Sequence, residues 1–103
     1  GGNLKVDMTI EEIVKKVSKV SNVPEKEIVG KSRKMEIAQA RQVSMFLSRE
    51  ILGKSLSGIG MYFGGRDHTT VMHAIKTISE KVNTDDVISN TISKLRTDLN
   101  QSF

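Results

Sequence analysis

The residues Gly64-Gly65-Arg66-Asp67-His68-Thr69-Thr70-Val71-Met72-His73-Ala74 place two glycines directly before a helix start crowded with hydrogen-bonding groups. Glycine reaches positive φ without the clash that a Cβ creates, so Gly64 and Gly65 predict a tight turn. Asp67 suits the N-cap of the helix that follows. Arg66, His68, Thr69 and Thr70 then gather where backbone N–H groups stand free and the helix dipole is positive, an end that attracts phosphate. This is the chemistry of recognition, not of bond making. His68 and His73 do not have the i, i+4 spacing of a helical metal pair, and no HExxH segment is present. Gly53-Lys54-Ser55 resembles the end of a nucleotide-binding phosphate loop, but Ser48 stands where that loop has its first glycine, so no nucleotide site is implied.

The charge distribution agrees with an anionic partner. The chain carries a formal +4, and residues 31 to 76 hold eight Lys/Arg against Glu36, Glu50 and Asp67, a local +5 that leaves the remainder at −1. A positive excess beside a hydrogen-bonding helix start is what phosphate neutralisation with counterion release requires. An excess of this size is also common on ordinary solvated surfaces, so charge alone does not choose between the two.

The elements that must position these residues come from a chain of 103 residues, 37% hydrophobic, which is enough for one small core. Residues 1–7 read as a linker or cloning remnant and residues 8–103 as one domain. No cysteine is present, which excludes disulfides and cysteine zinc sites and is compatible with a reducing compartment, the cytoplasm by default. No apolar run approaches the roughly 20 residues that span a bilayer, and Gly1-Gly2-Asn3-Leu4-Lys5 lacks a signal-peptide hydrophobic region.

The periodicity is helical throughout. Thr9 and Glu12 have capping-box spacing, with Met8 and Ile13 as a hydrophobic staple, so a first helix begins near residue 10 and buries Ile10, Ile13, Val14, Val17 and Val20. Pro24 to Val29 reads as a short second helix closed by Gly30, followed by the basic stretch Lys31-Ser32-Arg33-Lys34. A third helix runs from about Met35 to Leu52, with Ile37, Ala40, Leu47 and Ile51 along one stripe, Arg41 and Gln42 elsewhere, and Gly53 as its stop. Ser55 caps a short fourth helix that turns Leu56, Ile59 and Phe63 inward. The fifth helix starts after Asp67, with Val71, Ile75, Ile78 and Val82 as its apolar stripe and Thr69, His73, Lys76 and Thr77 outside. A sixth, Asp85 to about Gln101, carries Ile88, Ile92, Leu95 and Leu99 inward. The fold class is therefore all-α, a compact bundle of about six helices. The fourth and fifth helices, joined by a three-residue turn containing glycine, form a candidate helix-turn-helix whose second member would enter the major groove. A purely structural glycine corner fits the pattern equally.

The segment Phe63-Gly64-Gly65-Arg66-Asp67-His68-Thr69-Thr70-Val71-Met72-His73-Ala74 resembles the signature of the C-terminal DNA-binding domain (domain IV) of the DnaA family, the bacterial chromosomal replication initiators. The resemblance extends through Ala40-Arg41-Gln42, Leu47-Ser48-Arg49-Glu50 and Ser55-Leu56-Ser57-Gly58-Ile59-Gly60, and covers roughly residues 8 to 100 in order and with family spacing. It implies a Trp-repressor-like fold with a helix-turn-helix that binds short asymmetric DnaA boxes of the TTATNCACA type at replication origins, in the cytoplasm on the nucleoid. It also implies an ATPase domain upstream as a partner in cis. ATP belongs to that upstream domain, so the resemblance implies no cofactor, no metal and no small-molecule substrate here.

Carried over position by position, the resemblance makes Arg33 the basic-loop arginine that inserts into the minor groove, where a narrow A·T-rich groove attracts guanidinium. Arg41 takes the place of an arginine that reaches a major-groove base edge, and Asp67, His68 and Thr69 take the places of the base readers on the recognition helix. Asp67 would accept from cytosine N4, and the Thr69 methyl would touch thymine. Lys31, Lys34, Gln42, Lys54, Ser55, Leu56, Arg66, Thr70 and Lys76 are expected along the phosphates, where they set register without reading sequence.

Each role has a plainer alternative. Asp67 serves as an N-cap whether or not it meets a base, and His68 lies roughly 60° from the centre of the apolar stripe, where it could pack partly. Lys31, Lys34 and Lys54 could be solvated only. The chain departs from the family pattern at Ala40 and Ser57, where many members have proline, which leaves a thymine contact from the latter position unsupported. Gln39 and Met35 replace residues that are often basic. Two other function classes stay open: an acidic-phospholipid or protein interaction module built on Lys15, Lys16 and Lys19 of an amphipathic first helix, and a Trp-repressor-like transcriptional regulator acting as a dimer on a palindrome.

Overall fold

The computed structural model describes residues 8–100; the expected linker at 1–7 and the expected last-helix residue Gln101 lie outside them. Six helices follow in order: α1 (Ile10–Ser21), α2 (Glu25–Ile28), α3 (Met35–Leu52), α4 (Leu56–Tyr62), α5 (His68–Thr84) and α6 (Asp86–Asn100). Among the described residues there is no strand.

Local chemistry starts and stops these helices. At α1, the Glu12 N–H donates to Thr9 Oγ1 at 3.3 Å and the Thr9 N–H to Glu12 Oε1 at 3.1 Å, a reciprocal capping box. The helix ends at Asn22, which takes the left-handed conformation with φ 59°. Pro24 stands just outside α2, and its carbonyl accepts from Glu27 and Ile28. Gly30, expected to close α2, does not have positive φ, and Val29 in the right-handed region is the C-cap. Asp85 closes α5 and also opens α6, accepting from the N–H groups of Val87 and Ile88.

Helix α3 is the axle of the bundle. It packs against α1 on one side and α5 on another, and α6 closes the far side against α1 and α5. The expected single stripe therefore widens: Val43, Ser44, Met45, Phe46, Leu47 and Ser48 are buried in succession. Two hydroxyls inside this core need acceptors, and they find them one turn back, Ser44 Oγ at Ala40 O (2.9 Å) and Ser48 Oγ at Ser44 O (2.8 Å). On α5 the buried line is Val71, Ala74 and Ile78, with Ile75 and Val82 at its margin.

Five residues, Phe63 to Asp67, separate α4 from α5, where a three-residue turn was expected. Phe63 ends α4 and is fully buried, while Asp67 leads into α5 in extended conformation as its N-cap. Between them Gly64 and Gly65 have φ of 87° and 79°, the left-handed backbone that their sequence predicts. Gly60 N-terminal to the turn matters for a different reason. Its carbonyl accepts from both Gly65 and Arg66 N–H (3.0 and 2.9 Å), which draws the chain so close that a Cβ on Gly60 would collide with the Arg66 carbonyl oxygen.

Candidate nucleic-acid interface

The start of α5 presents its polar groups outward. Asp67, His68, Thr69 and Thr70 are all exposed, so His68 is not packed into the core. Asp67 does cap the helix: its Oδ1 accepts from the Thr70 N–H at 2.9 Å. Chiefly through that backbone bond, and then through the Thr70 side chain, the Asp67 carboxyl is held below its ordinary range and stays ionised. A carboxylate has about four lone-pair sites, so capping leaves acceptor capacity facing solvent. His73 and Lys76, further along the same helix, are also exposed.

The basic loop lies beside this helix start. Lys31, Arg33 and Lys34 are exposed, and the Lys34 N–H donates to Ser32 Oγ at 3.3 Å. Lys31, Ser32 and Arg33 form one wall of a cleft of about 390 Å³; Gly64, Gly65 and Arg66 form the other, and Arg41 also lines it. Loop and turn, more than thirty residues apart in sequence, thus become the two banks of one positively charged channel. A second cleft of about 360 Å³ continues between α3 and α5, sharing Arg41 and Arg66 and adding Gln42, Thr70, His73 and Thr77.

Arg41 does not hold the free fork that a base-reading role anticipates. It is only 6% exposed, and Nε, Nη1 and Nη2 donate to the carbonyls of Ile28 (2.7 Å), Ser32 (2.9 Å) and Glu27 (3.0 Å). Its pKa is lowered first by burial and next by the neighbouring Arg66 guanidinium, with Glu27 acting the other way. Arg66, expected on a phosphate, is likewise engaged: Nε donates to Phe63 O at 3.0 Å and Nη2 to Gly30 O at 2.8 Å. All three Arg41 acceptors and the Gly30 acceptor of Arg66 are distant in sequence, which spacing along the chain does not reveal. Gly60 gives one signal in the sequence, a glycine inside a helix, where propensity disfavours it.

The remaining expected phosphate contacts lie around these clefts or beyond them. Gln42 is half-buried in the α3–α5 cleft. Lys54 and Ser55 are exposed at the α3–α4 junction, where Ser55 Oγ accepts from the Gly58 N–H as the α4 cap and Leu56 is half-buried. Lys15 and Lys19 of α1 are exposed, but its apolar face, Ile10, Ile13, Val14 and Val17, is spent on the core and not presented to a lipid surface. No helix among the described residues is long and apolar enough to cross a membrane.

A family profile described as bacterial DnaA protein helix-turn-helix matches residues 10–78. Similar proteins include the chromosomal replication initiator protein DnaA of Limosilactobacillus fermentum, 42% identical over 97 residues, which are 94% of this chain and 22% of the relative. That of Ruegeria pomeroyi is 45% identical over 89 residues, 86% of this chain and 19% of the relative. That of Lactococcus lactis subsp. cremoris is 43% identical over 90 residues, 87% and 20% respectively. The chain thus spans only about a fifth of the length of these relatives.

Proposed function

The chain belongs to the family of bacterial DnaA helix-turn-helix domains, and from that premise we propose that it recognises double-stranded DnaA-box DNA sequence-specifically, as the origin-binding part of a chromosomal replication initiator. The observation that carries this reading is the single basic channel with the exposed Arg33 loop on one bank and the Gly64-Gly65 turn into α5 on the other. A groove-reading helix and a groove-reading loop so placed can enter adjacent grooves of one duplex.

In this reading the start of α5 enters the major groove. Asp67 accepts from a cytosine amino group with the lone pairs that capping leaves free, His68 hydrogen-bonds a base edge, and the Thr69 methyl packs on a thymine methyl. The Arg33 guanidinium enters the neighbouring minor groove, where a narrow A·T-rich stretch concentrates negative potential. Lys31, Lys34, Lys54 and Lys76, with the hydroxyl of Thr70, meet phosphates and fix register. Arg41 and Arg66 are not assigned to bases here, because their guanidiniums already serve backbone carbonyls.

Fluorescence anisotropy with a DnaA-box duplex and a scrambled duplex of equal length, at fixed salt, tests the reading. The box should bind more tightly and with one protein per site. Replacing His68 or Thr69 by Ala should cost roughly 1–3 kcal/mol on the box while nearly sparing the scrambled duplex. Equal affinity for both duplexes would remove the base-reading role, and two proteins per site would favour a dimeric Trp-repressor-like regulator.

A further inference from the structure

We propose that Arg66 and Arg41 are positioning residues: together they clamp the basic loop to the recognition turn and to α3, so that Arg33 and the start of α5 are held in fixed relation before DNA arrives. The proposal rests on the two-groove reading above.

The two guanidiniums supply five hydrogen bonds to carbonyls drawn from separate parts of the chain. Arg41, from within α3, takes Glu27 O, Ile28 O and Ser32 O, and so fastens both the end of α2 and the loop after it. Arg66, from the turn, takes Phe63 O at the end of α4 and Gly30 O, thirty-six residues away. The Gly30–Arg66 bond joins the basic loop directly to the helix-turn-helix. Residues Gly30 to Lys34 belong to no helix, so side chains must define their path. The planar multi-donor fork of arginine suits this, and lysine, a point charge on a flexible stem, cannot reproduce it.

Electrostatics argues that this arrangement is costly without a function. Arg41 and Arg66 sit in the same cleft as Lys31 and Arg33, and Arg66 opposes the charge on Arg41. If Arg33 lies in a minor groove and α5 in the adjacent major groove, the sugar–phosphate strand between the two grooves must cross this cleft. The exposed charges of Lys31 and Arg33 then face the strand, while the Arg41 and Arg66 hydrogen bonds beneath it keep both banks at the spacing the duplex requires. Such preorganisation removes the ordering cost of the loop from the binding step.

The test is a double-mutant cycle on box affinity with Arg66→Lys and Arg33→Ala. Arg66→Lys keeps the charge and loses the fork, so a simple phosphate contact would survive it. A clamp would not, and box affinity should fall about tenfold, the scale of one charge-assisted hydrogen bond at the weak end of its range. In the Arg33→Ala background the same substitution should cost less than about threefold, because the contact that the clamp positions is already gone. Arg41→Lys, which loosens the loop from α3 instead of from the turn, must show the same dependence on Arg33, and it provides the cycle if Arg66→Lys does not fold. Box binding by the lysine variants within about twofold of wild type, or losses undiminished by Arg33→Ala, would overturn the clamp. Wild-type binding that does not distinguish box from scrambled duplex would instead overturn the DNA reading beneath it.

Discussion

At Gly60 one missing methyl group lets two helices meet at the angle the interface needs. The Gly60 carbonyl takes the N–H groups of Gly65 and Arg66, and the Arg66 carbonyl comes back over the Gly60 Cα, where a Cβ would collide with it. The obstructing atom is backbone, which cannot swing aside as a side-chain tip can. Gly60→Ala should therefore destabilise the fold by at least about 2–3 kcal/mol despite the better helix propensity of alanine. Urea denaturation checks this: the midpoint should fall with the slope unchanged. Gly58→Ala is the control in the same helix. There the nearest atom is Ser55 Oγ at 3.1 Å, a side chain able to move, and the loss should be well under that of Gly60→Ala. A midpoint for Gly60→Ala equal to that of Gly58→Ala would mean that the turn relaxes freely. The same scale shows what the sequence could not say about Arg41 and Arg66. The sequence offers Arg41 for a base edge and Arg66 for a phosphate; that Arg41 also holds Ile28 O and Arg66 holds Gly30 O is hidden, because these partners are backbone groups far along the chain and carbonyls carry no residue-type signal.

Among the elements, boundaries set by local chemistry were legible and faces set by neighbours were not. The Thr9–Glu12 box, the Asp67 cap and the Gly64-Gly65 turn each depend on residues within a few positions, and all three stand as their sequence predicts. Helix α3 carries a weaker signal, because a helix packed against α1, α2, α4 and α5 buries Val43 to Ser48 almost without periodicity. The first turn of α5, proposed to read bases, has a pH dependence that follows from its cap. The Asp67 carboxyl is depressed chiefly by the Thr70 N–H, so its folded pKa lies below its unfolded one. The stabilisation is then complete above the ordinary carboxylate value, about 4, and is lost as pH falls through the lowered folded value. Acidification should fray the first turn of α5 before the bundle unfolds, seen by NMR as rising exchange of the Thr70 amide. Asp67→Asn keeps an acceptor at the cap but no titrating proton, so this acid fraying should disappear. Persistence of the same acid midpoint in Asp67→Asn would assign the transition to another group.

For the whole molecule, the decisive quantity is how many cations remain free once the fold has used its own. The domain measures 44 × 30 × 23 Å with a radius of gyration of 13.1 Å, long enough along one axis to span the roughly 34 Å of one DNA turn, which contains one major and one minor groove. In the proposed reading a monomer would then reach both grooves without a symmetric partner. Not every positive residue is available for that encounter. Arg96 is paired with Glu50 across α3 and α6, with Nε to Oε1 at 3.0 Å and Nη2 to Oε2 at 2.6 Å, and Arg49 donates to Lys54 O. With Arg41 and Arg66 committed to carbonyls, Lys31, Lys34, Lys54 and Lys76 on the phosphates and Arg33 in the minor groove are the proposed set of five cations that displace counterions. Five such contacts predict a slope of log affinity against log salt of about −4 to −5 on B-DNA. Removing one exposed lysine, Lys34→Ala for example, should flatten the slope by about 0.9 and weaken box and scrambled duplexes alike. Arg66→Lys, which leaves the charge count intact, should lower box affinity with the slope preserved. A slope near −6 for the wild type would add Arg41 and Arg66 to the phosphate contacts, made through the N–H donors that their carbonyl partners leave unused.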